Sequence, residues 1–555
     1  MEPVKLSDIQ VTGDLMYRAE RNFDRLEEEE YRIPGVFRSD PGAGNDRWPG
    51  DHEGRTILGL VMLAQATHRE PKHLADILAD LPAHMNAKGY IGRILDPGLA
   101  DEQQMSGHSW LLRGLCEHYL WQRDQRARDA IEAIVGNLFL PSRNCYMTYP
   151  ARPEERVFQG EASGNLTGKV YGNWYTSTDT GCAFIPLDGA THAYQVLGDS
   201  GLKALIDTMI EKYLSMDLVE LSVQTHATLT GLRGILRYYE CTQDGRLLDA
   251  ARHVYSLYMS EGVTENYENY NWFARPKWTE PCAVIDSFMA AVTLWKNTGE
   301  SSYLDDAHNI LFNGMGYEQR PNGGWGLSRC AGAHDQFLGL REGDYEAWWC
   351  CTMRGGEGLA RAVEYSYFVD RDSAWVTFFN NSTARLRFAD GELTVTQSTD
   401  YPTGGNVRLH VVESTTAGPK AIMLFMPLWA SAEDAHLSVN GRELPIVQAN
   451  GFVEVRGPFA AGDVIEFRLD IRVRRVPIIN RNSIAGHGTF RHGSLILGVR
   501  NHGEAISITE NARFTHLGSG RYEVHGMGCV LEPINDLIYL SKAAVLEDHR
   551  QILFP

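Results

Sequence analysis

The stretch VLGDSGLKALIDTMIEKYL, residues 196–214, shows how most of this chain of 555 residues is expected to fold. From Leu202 to Leu214 the apolar residues recur three and four positions apart, which predicts a helix with one broad apolar face. Gly198 and Asp199, just before it, are residues that end one helix and begin the next. The stretch therefore predicts a helix boundary followed by a helix that packs on its neighbours.

The same boundary pattern returns twice further along the chain. It appears at Thr242–Gly245 and at Thr298–Glu300, each time about fifty residues after the previous one. This spacing predicts a repeating unit of two helices, and six such hairpins would fill residues 14 to 370. Helical hairpins stacked in a closed ring form an α/α barrel, with a pocket at the ring centre where loops such as 160–181 converge.

After Tyr367 the pattern changes to short β-strands. Residues 374–379, 385–388, 407–412 and 421–426 are rich in β-branched and aromatic residues, and turn pairs such as Asn440-Gly441 separate such segments. This pattern of short strands and turns predicts antiparallel β-sandwich structure. We therefore expect a helical catalytic domain at residues 1–370, a β-sandwich domain at 371–473 and a second β module at 474–555 that packs on the first.

Composition excludes some classes of partner. The formal charge of -19 and the pI near 5.5 argue against binding to nucleic acid or to an anionic membrane surface. We find no run of eighteen apolar residues and no apolar segment near the start that is typical of a signal peptide. Nine irregularly spaced cysteines fit reduced thiols, so a cytoplasmic location is expected.

The sharpest chemical signal is a set of cysteines. Cys350 and Cys351 are adjacent, and adjacent cysteines do not readily bond to each other. Glu280 and Cys282 lie two residues apart earlier in the chain. One oxygen and three sulfur atoms make a complete tetrahedral ligand set for zinc. A closed structural zinc, or buried cysteines without any metal, would explain the same residues.

Two further groups could belong to a pocket. Glu265 and Glu268 lie among Asn, Tyr and Trp272, a setting that suits a general acid with a raised pKa, although a solvated loop would look the same. His108 and His226 each open an apolar helical stretch and could bind hydroxyl groups, or could be satisfied core histidines. The loop Pro49–Glu53 is a plausible pocket loop but carries no stronger signal.

The order of these motifs resembles glycoside hydrolase family 127, the β-L-arabinofuranosidase family. The resemblance covers nearly the whole chain, and its most specific part is the Glu-x-Cys motif combined with the later Cys-Cys pair. It is carried by Gly107-His108, Thr225-His226-Ala227, Glu280-Pro281-Cys282-Ala283, Leu311-Phe312-Asn313-Gly314 and Cys350-Cys351, and in the β-region by Met426–Ala430, Val439–Gly441 and Arg491–Leu495.

The resemblance implies a zinc ion held by Glu280, Cys282, Cys350 and Cys351. It also implies that Cys350 is the nucleophile of a retaining hydrolase. Glu265, with Glu268 as its rival, is implied to be the acid/base. His108 and His226 are implied to hold sugar hydroxyls, and the expected substrate is a glycoside or oligosaccharide with a terminal, furanosidic sugar. A homodimer is compatible with the sequence.

The chain departs from the family pattern at three places. Thr352-Met353-Arg354 follows the cysteine pair where the family has two prolines and an asparagine, and Arg354 could meet a carboxylate on the sugar. A histidine expected near Cys182 is missing, and the loop around Glu265 is differently built. Two other functions stay open: a metal-independent, uronyl-type α/α-barrel glycosidase, and a non-catalytic carbohydrate-binding protein with structural zinc.

Overall fold

The computed structural model describes residues 1–38, 48–152, 155, 170–177, 179–333, 335–341 and 345–555. Much of the loop 160–181 that was expected to reach the pocket lies outside these ranges. The described α-helices are α1 (Asp14–Leu26), α2 (Asp51–Thr67), α3 (Leu74–Asp80), α4 (Glu102–Gln122), α5 (Gln125–Ile134), α6 (Pro186–Leu197), α7 (Ser200–Leu214), α8 (Thr225–Thr242), α9 (Gly245–Glu261), α10 (Pro281–Thr298), α11 (Ser301–Asn309), α12 (Gly316–Glu318), α13 (Cys351–Glu364) and α14 (Lys542–Leu546).

The predicted helix boundaries are confirmed. Gly198 ends α6 with a φ of 67°, and the Asp199 side chain accepts a hydrogen bond from the backbone of Leu202 at the start of α7. Asp244 caps α9 in the same way, through the backbone N–H of Arg246. These caps turn the chain sharply between consecutive helices, so the helices of each pair lie side by side.

Six helices of the described part contact one another in a closed cycle. Helix α2 packs against α4 and α13, α4 against α6, α6 against α8, α8 against α10, and α10 against α13. Apolar residues of α8 and α10 are buried on all sides, as expected for helices that are covered by neighbours. The cycle brings the starts of helices that are hundreds of residues apart into one region.

The approach of α2 to α4 is unusually close, and glycines make it possible. A β-carbon at Gly54 would overlap the backbone of Trp110 and Leu111, and one at Gly114 would lie 2.7 Å from the carbonyl oxygen of Gly54. The backbones of the two helices therefore touch directly. This contact fixes the first turn of α2 relative to its neighbour.

The β-region follows the helices, as predicted. Its strands and the short strands elsewhere are β1 (Glu2–Pro3), β2 (Ile9–Val11), β3 (Ala100–Asp101), β4 (Val170–Tyr171), β5 (Trp174–Tyr175), β6 (Phe337–Gly339), β7 (Tyr367–Val369), β8 (Ser373–Val376), β9 (Ser382–Phe388), β10 (Gly391–Thr399), β11 (Asn406–Ser414), β12 (Lys420–Phe425), β13 (Ala435–Val439), β14 (Arg442–Leu444), β15 (Gln448–Ala449), β16 (Phe452–Gly457), β17 (Val464–Leu469), β18 (Val473–Pro477), β19 (Gly488–His492), β20 (Leu495–Arg500), β21 (Phe514–Gly518), β22 (Arg521–Val524), β23 (Cys529–Pro533) and β24 (His549–Gln551).

Three large sheets result. The first has the order β1-β7-β8-β12-β16-β15 and the second β14-β13-β17-β11-β10-β9-β2. Buried and exposed residues alternate along β9 and β11, as in a sheet with one face on the core. The third sheet, β18-β19-β20-β23-β22-β21, has an apolar cluster of its own, whereas one continuous core joins the helices to the first two sheets.

The N-terminal residues differ from the expectation of a purely helical start. Strand β1 pairs with β7, and β2 pairs with β9, so residues 2–11 complete the edges of the first two sheets. Strands of two or three residues are too short to show a period-two pattern in the sequence. The division of the chain at residues 370 and 473 stays a proposal. Among the described residues, no helix is both long and apolar enough to cross a membrane.

We expect the substitution Gly54→Ala to destabilise the protein by about 2 kcal/mol or more, because the added methyl group forces α2 away from α4. Gly245→Ala is the matched control, since a β-carbon there meets nothing within 4 Å and the residue lies in the first turn of α9. Thermal unfolding followed by circular dichroism measures the difference. Equal melting temperatures for the two variants would contradict the close helix contact.

Candidate active site

Glu280, Cys282, Cys350 and Cys351 come together in the structure. Their ligand atoms, one carboxylate oxygen and three sulfurs, all lie within 4.8 Å of one another. The Sγ atom of Cys351 is 3.5 Å from that of Cys282 and 3.2 Å from that of Cys350. Because Zn–S bonds measure about 2.3 Å, sulfurs at such separations can share one metal ion. The predicted ligand set is therefore gathered at one point.

Two helix starts hold this set. Glu280 is the residue before α10 and Cys282 is the second residue of that helix, while Cys350 precedes α13 and Cys351 opens it. Helices α10 and α13 pack against each other, which bridges the distance in sequence. The N-terminus of a helix carries a partial positive charge, so both helices favour thiolate and carboxylate anions at this point.

The three thiols differ in their environment. Hydrogen bonds from Cys282 and Cys351 lower the pKa of the Cys350 thiol to about 6. Burial raises the pKa of Cys282, Cys351 and Glu280 above their usual values. Nη1 of Arg55 donates to Sγ of Cys282 over 3.4 Å. Cys350 is thus the member of the set that carries a thiolate most readily, and it is also the partly exposed one.

Cys350 and Cys351 lie in the wall of a cavity of about 650 Å³. Most of its polar side chains come from the first turns of the helices in the closed cycle or from the residues just before them. The lining residues are Arg38, Trp48, Asp51, His52, Arg55, Asp179, Ile185, Gln224, His226, Trp278, Glu280, Leu327, Arg341, Trp348, Trp349, Cys350 and Cys351. A thiol with a lowered pKa in a cavity with aromatic walls and polar groups can act as a nucleophile on a sugar-sized ligand.

Comparison with known proteins agrees with this site. Residues 215–364, which hold all four ligand residues, match the family model of the β-L-arabinofuranosidase GH127 catalytic domain. Residues 373–471 match the model of the GH127 middle domain. The chain carries the catalytic and middle domains of glycoside hydrolase family 127 over these residues. It is therefore a glycosidase. No curated protein matches the chain.

Solved structures show the same fold. A GH127 β-arabinofuranosidase matches with a TM-score of 0.71 at 15% identity, covering 100% of this chain and 97% of its own. A GH127 β-L-arabinofuranosidase from Geobacillus stearothermophilus T6 matches with a TM-score of 0.73 at 14% identity, covering 98% of this chain and 99% of its own. The shared fold thus extends over nearly the whole length of the chain.

His226 lies in the cavity wall, and its predicted role in binding sugar hydroxyls stays a prediction. Its Nδ1–H donates to Oδ2 of Asp286 over 2.8 Å, which leaves Nε2 directed towards Arg55, 3.4 Å away. The ring stacks on Trp110 with centroids 5.6 Å apart. Both contacts hold the imidazole in one orientation.

His108, in contrast, does not contribute to the cavity wall. It is fully buried; Nδ1 donates to the carbonyl of Gln104 over 2.8 Å, and Nε2 accepts the backbone N–H of Ile91 over 3.1 Å. Both ring nitrogens are therefore occupied, and burial lowers the pKa to about 4. The structure corrects the expectation for His108, which is a satisfied core histidine that joins α4 to the preceding loop.

Arg354 also lies elsewhere than expected. It is fully buried, forms ion pairs with Asp286 and Glu357, and lies over the ring of Trp110 at 4.3 Å. These carboxylates neutralise its charge beneath the cavity. Arg354 therefore does not make the predicted contact with a sugar carboxylate. Trp272 is buried too, and its Nε1–H donates to Oδ1 of Asp179 over 2.8 Å. It supports a lining residue and is not itself in the wall.

The two predicted acid/base residues are buried away from the described lining of the cavity. The Glu265 carboxylate accepts hydrogen bonds from the backbone N–H groups of Ile479 and Asn480 and from the Ser483 hydroxyl, all in the third β-sheet region. Burial raises the pKa of Glu265, and raises that of Glu268 to about 7. Neither carboxylate is among the lining groups, so the acid/base role of both stays a prediction.

The start of α2 contributes more to the cavity than its sequence indicates. Asp51, His52 and Arg55 all line the cavity. Nδ1–H of His52 donates to the Val36 carbonyl over 2.9 Å, and burial lowers the pKa of the ring to about 4, so Nε2 is an acceptor. Polar residues in the first turn of an otherwise apolar helix, directly after Pro49-Gly50, were the available signal.

We expect iodoacetamide to alkylate Cys350 in the chelator-treated protein with a rate that is half-maximal near pH 6. Because the pKa of Cys350 is lowered, its thiolate persists at pH values above about 6 and is lost below that pH. An ordinary thiol ionises only near pH 8.5, a value of about 8.5 being the usual thiol pKa. Peptide mass spectrometry measures the labelling. Cys241 is the internal control, because it is exposed and its pKa is raised by partial burial, so it labels only at alkaline pH. Labelling of both residues with the same pH dependence would contradict the assignment.

Proposed function

We propose that this protein is a retaining, exo-acting glycosidase that releases a terminal furanosidic sugar, a β-L-arabinofuranoside or a close analogue. The observation that carries the proposal is the Cys350 thiol, held beside two further thiols and a carboxylate at the wall of a sugar-sized cavity. The names of the matching family models support the sugar class.

The proposal includes a zinc ion held by Glu280, Cys282, Cys350 and Cys351. The fit rests on the chemistry of the set, since three sulfurs and one oxygen suit zinc better than calcium or magnesium. Three of these groups have raised pKa values through burial, and a divalent cation would offset their charge when they ionise. When bound, zinc supplies positive charge that keeps the cysteines ionised and makes Cys350 a better leaving group.

The residues of the chain then carry out a double displacement. The Cys350 thiolate attacks the anomeric carbon, a C–S bond forms, and the glycosidic C–O bond breaks as an acid in the cavity protonates the departing oxygen. Water next attacks the same carbon from the vacated side and loses a proton to the same group. The C–S bond breaks, and Cys350 returns as a thiolate. Two inversions give net retention.

Other cavity groups are proposed to hold the sugar. His226 through Nε2 and His52 through Nε2 present one imidazole nitrogen each, while Gln224 and the ion pair of Asp51 with Arg55 offer donors and acceptors. Trp348 and Trp278 provide flat apolar surface for the ring or for the leaving group. The closed cycle of helices is proposed to be the six-hairpin α/α barrel, with residues 371–473 and 474–555 as the two β modules.

We expect the intact protein to hydrolyse one or more members of a panel of 4-nitrophenyl pentofuranosides, and to leave the hexopyranosides intact. Cys350→Ala should lower kcat by about 10⁴-fold or more, because no other group replaces the nucleophile. Cys241→Ala, at an exposed thiol outside the cavity, should keep full activity. Release of nitrophenol measures the rates. Equal activity of the two variants would contradict a cysteine nucleophile.

We expect one zinc ion per chain in the purified protein, measured by inductively coupled plasma mass spectrometry. Glu280→Gln and Cys351→Ser each remove one ligand, so the zinc content should fall to well below one per chain. Cys241→Ser should retain the full content. A metal-free wild-type protein that is fully active would instead favour a metal-independent glycosidase.

A further inference from the structure

We propose that Trp349 binds the leaving group of the substrate, and that this leaving group is a second sugar ring. This role rests on the proposed hydrolysis by Cys350 and deepens it, because it names the part of the substrate that the cavity recognises beyond the terminal sugar. The substrate class is then an oligosaccharide, or a glycoside whose terminal sugar is linked to another sugar.

Trp349 is the residue directly before the nucleophile. The Cα atoms of consecutive residues lie about 3.8 Å apart, and both Trp349 and Cys350 line the same cavity. A disaccharide is long enough to contact both side chains at once. When the anomeric carbon of the terminal sugar meets the Cys350 sulfur, the next sugar of the substrate can therefore reach the Trp349 ring.

Hydrogen bonds on both sides fix the backbone that carries Trp349. The N–H of Cys351 donates to the carbonyl of Ala347 over 3.0 Å, which closes a turn around the tryptophan. The carbonyl of Trp348 accepts the hydroxyl of Tyr31 over 2.8 Å. Trp349 is therefore held in a defined position relative to the nucleophile, as a binding surface requires.

The Trp349 ring offers a flat surface that the protein itself leaves open. It is 42% exposed, and its contact with Trp348 is at 88° with ring centroids 5.6 Å apart, so an edge contact covers at most one of its faces. Trp348 differs, because the guanidinium of Arg38 lies over its ring at 4.1 Å. The C–H groups of a sugar ring pack well on an uncovered aromatic face.

The change in burial across the cavity decides which part of the substrate meets Trp349. His226 is 2% exposed, and Arg55 and Glu280 are also buried, so the polar groups that can bind hydroxyls lie at the closed end. An exo-acting glycosidase takes the terminal sugar into that closed end, and the rest of the substrate points towards the opening. The exposed Trp349 lies in the part of the wall that the leaving group passes. The cavity of about 650 Å³ is in the size range of pockets that enclose ligands larger than one furanose.

The test compares leaving groups of different size on one furanosyl group. The enzymes are assayed on the methyl furanoside of the preferred sugar and on disaccharides that link this furanosyl group to arabinose, xylose or galactose. Chromatography measures the released sugar. The wild type should cleave the best disaccharide with a kcat/KM about tenfold or more above that of the methyl glycoside.

Trp349→Ala should lower kcat/KM about tenfold on that disaccharide, mainly through a higher KM, but by less than about twofold on the methyl glycoside. The reason is that a methyl group does not reach the indole ring. Trp349→Leu, which stays apolar but has no flat ring, should show the same difference, so the result does not depend on the folding of one variant.

Two control variants separate recognition from a general loss of activity. Trp349→Phe keeps a flat aromatic face and should retain most of the preference for the disaccharide. Val447→Ala removes an apolar side chain that is 66% exposed and is not among the described lining of the cavity. This variant should behave as the wild type on both substrates.

Equal losses on the methyl glycoside and the disaccharide would overturn the assignment, because the ring would then act on the terminal sugar or on Cys350. A wild type that prefers no disaccharide over the methyl glycoside would overturn it too. In both cases an active wild type and an inactive Cys350→Ala leave the cysteine mechanism standing. A wild type that cleaves no furanoside overturns both proposals.

Discussion

The structure depends on the burial of three thiols and one carboxylate against one another. Groups that all acquire negative charge repel each other when water is excluded, and such an arrangement persists only if positive charge compensates it. The chain supplies part of that charge through the N-terminal ends of α10 and α13 and through Arg55 beside Cys282. These partial charges favour the anions without neutralising the whole set. In the proposed function, a divalent cation supplies the positive charge that these groups leave uncompensated.

The same geometry explains why the cavity lies where it does. In the six-hairpin α/α barrel proposed for this chain, each outer helix returns the chain, so the inner helices all begin at the same end. The starts of α2, α8, α10 and α13 therefore meet, and they carry the lining residues near positions 51, 224, 280 and 350. Backbone N–H groups at helix starts are unpaired within the helix. The cavity thus combines donors, positive helix ends and a thiol with a lowered pKa.

Local signals in the sequence predicted the helices and the helix caps, while the resemblance to the family pointed to the cluster of Glu280 with three cysteines. The caps at Asp199 and Asp244 depend on contacts with residues two or three positions further along the chain, so the sequence shows them directly. The acid/base residue is a different problem, because the position of Glu265 is determined by hydrogen bonds from residues 479–483, more than two hundred positions away. The predicted role of His108 is wrong for a similar reason. Its ring contacts the backbone of Gln104 and of Ile91, and the contact with Ile91 forms only when the loop before α4 folds against the helix. Residue types predict which chemistry is available. Contacts between distant parts of the chain decide which of several residues of the same type lines the cavity.

Beneath the cavity wall, a residue that departs from the family pattern still helps to position a residue of the wall. Arg354 stands where the family has a different residue, and it pairs with Asp286, which Arg233 also contacts at 2.7 Å. Two guanidinium groups keep the pKa of Asp286 well below its usual range, so this carboxylate stays ionised. An ionised Asp286 holds the proton of His226 on Nδ1, and Nε2 is then an acceptor that lies 3.4 Å from Nη2 of Arg55. Arg354 therefore influences the cavity wall indirectly, through Asp286, which fixes the tautomer of His226.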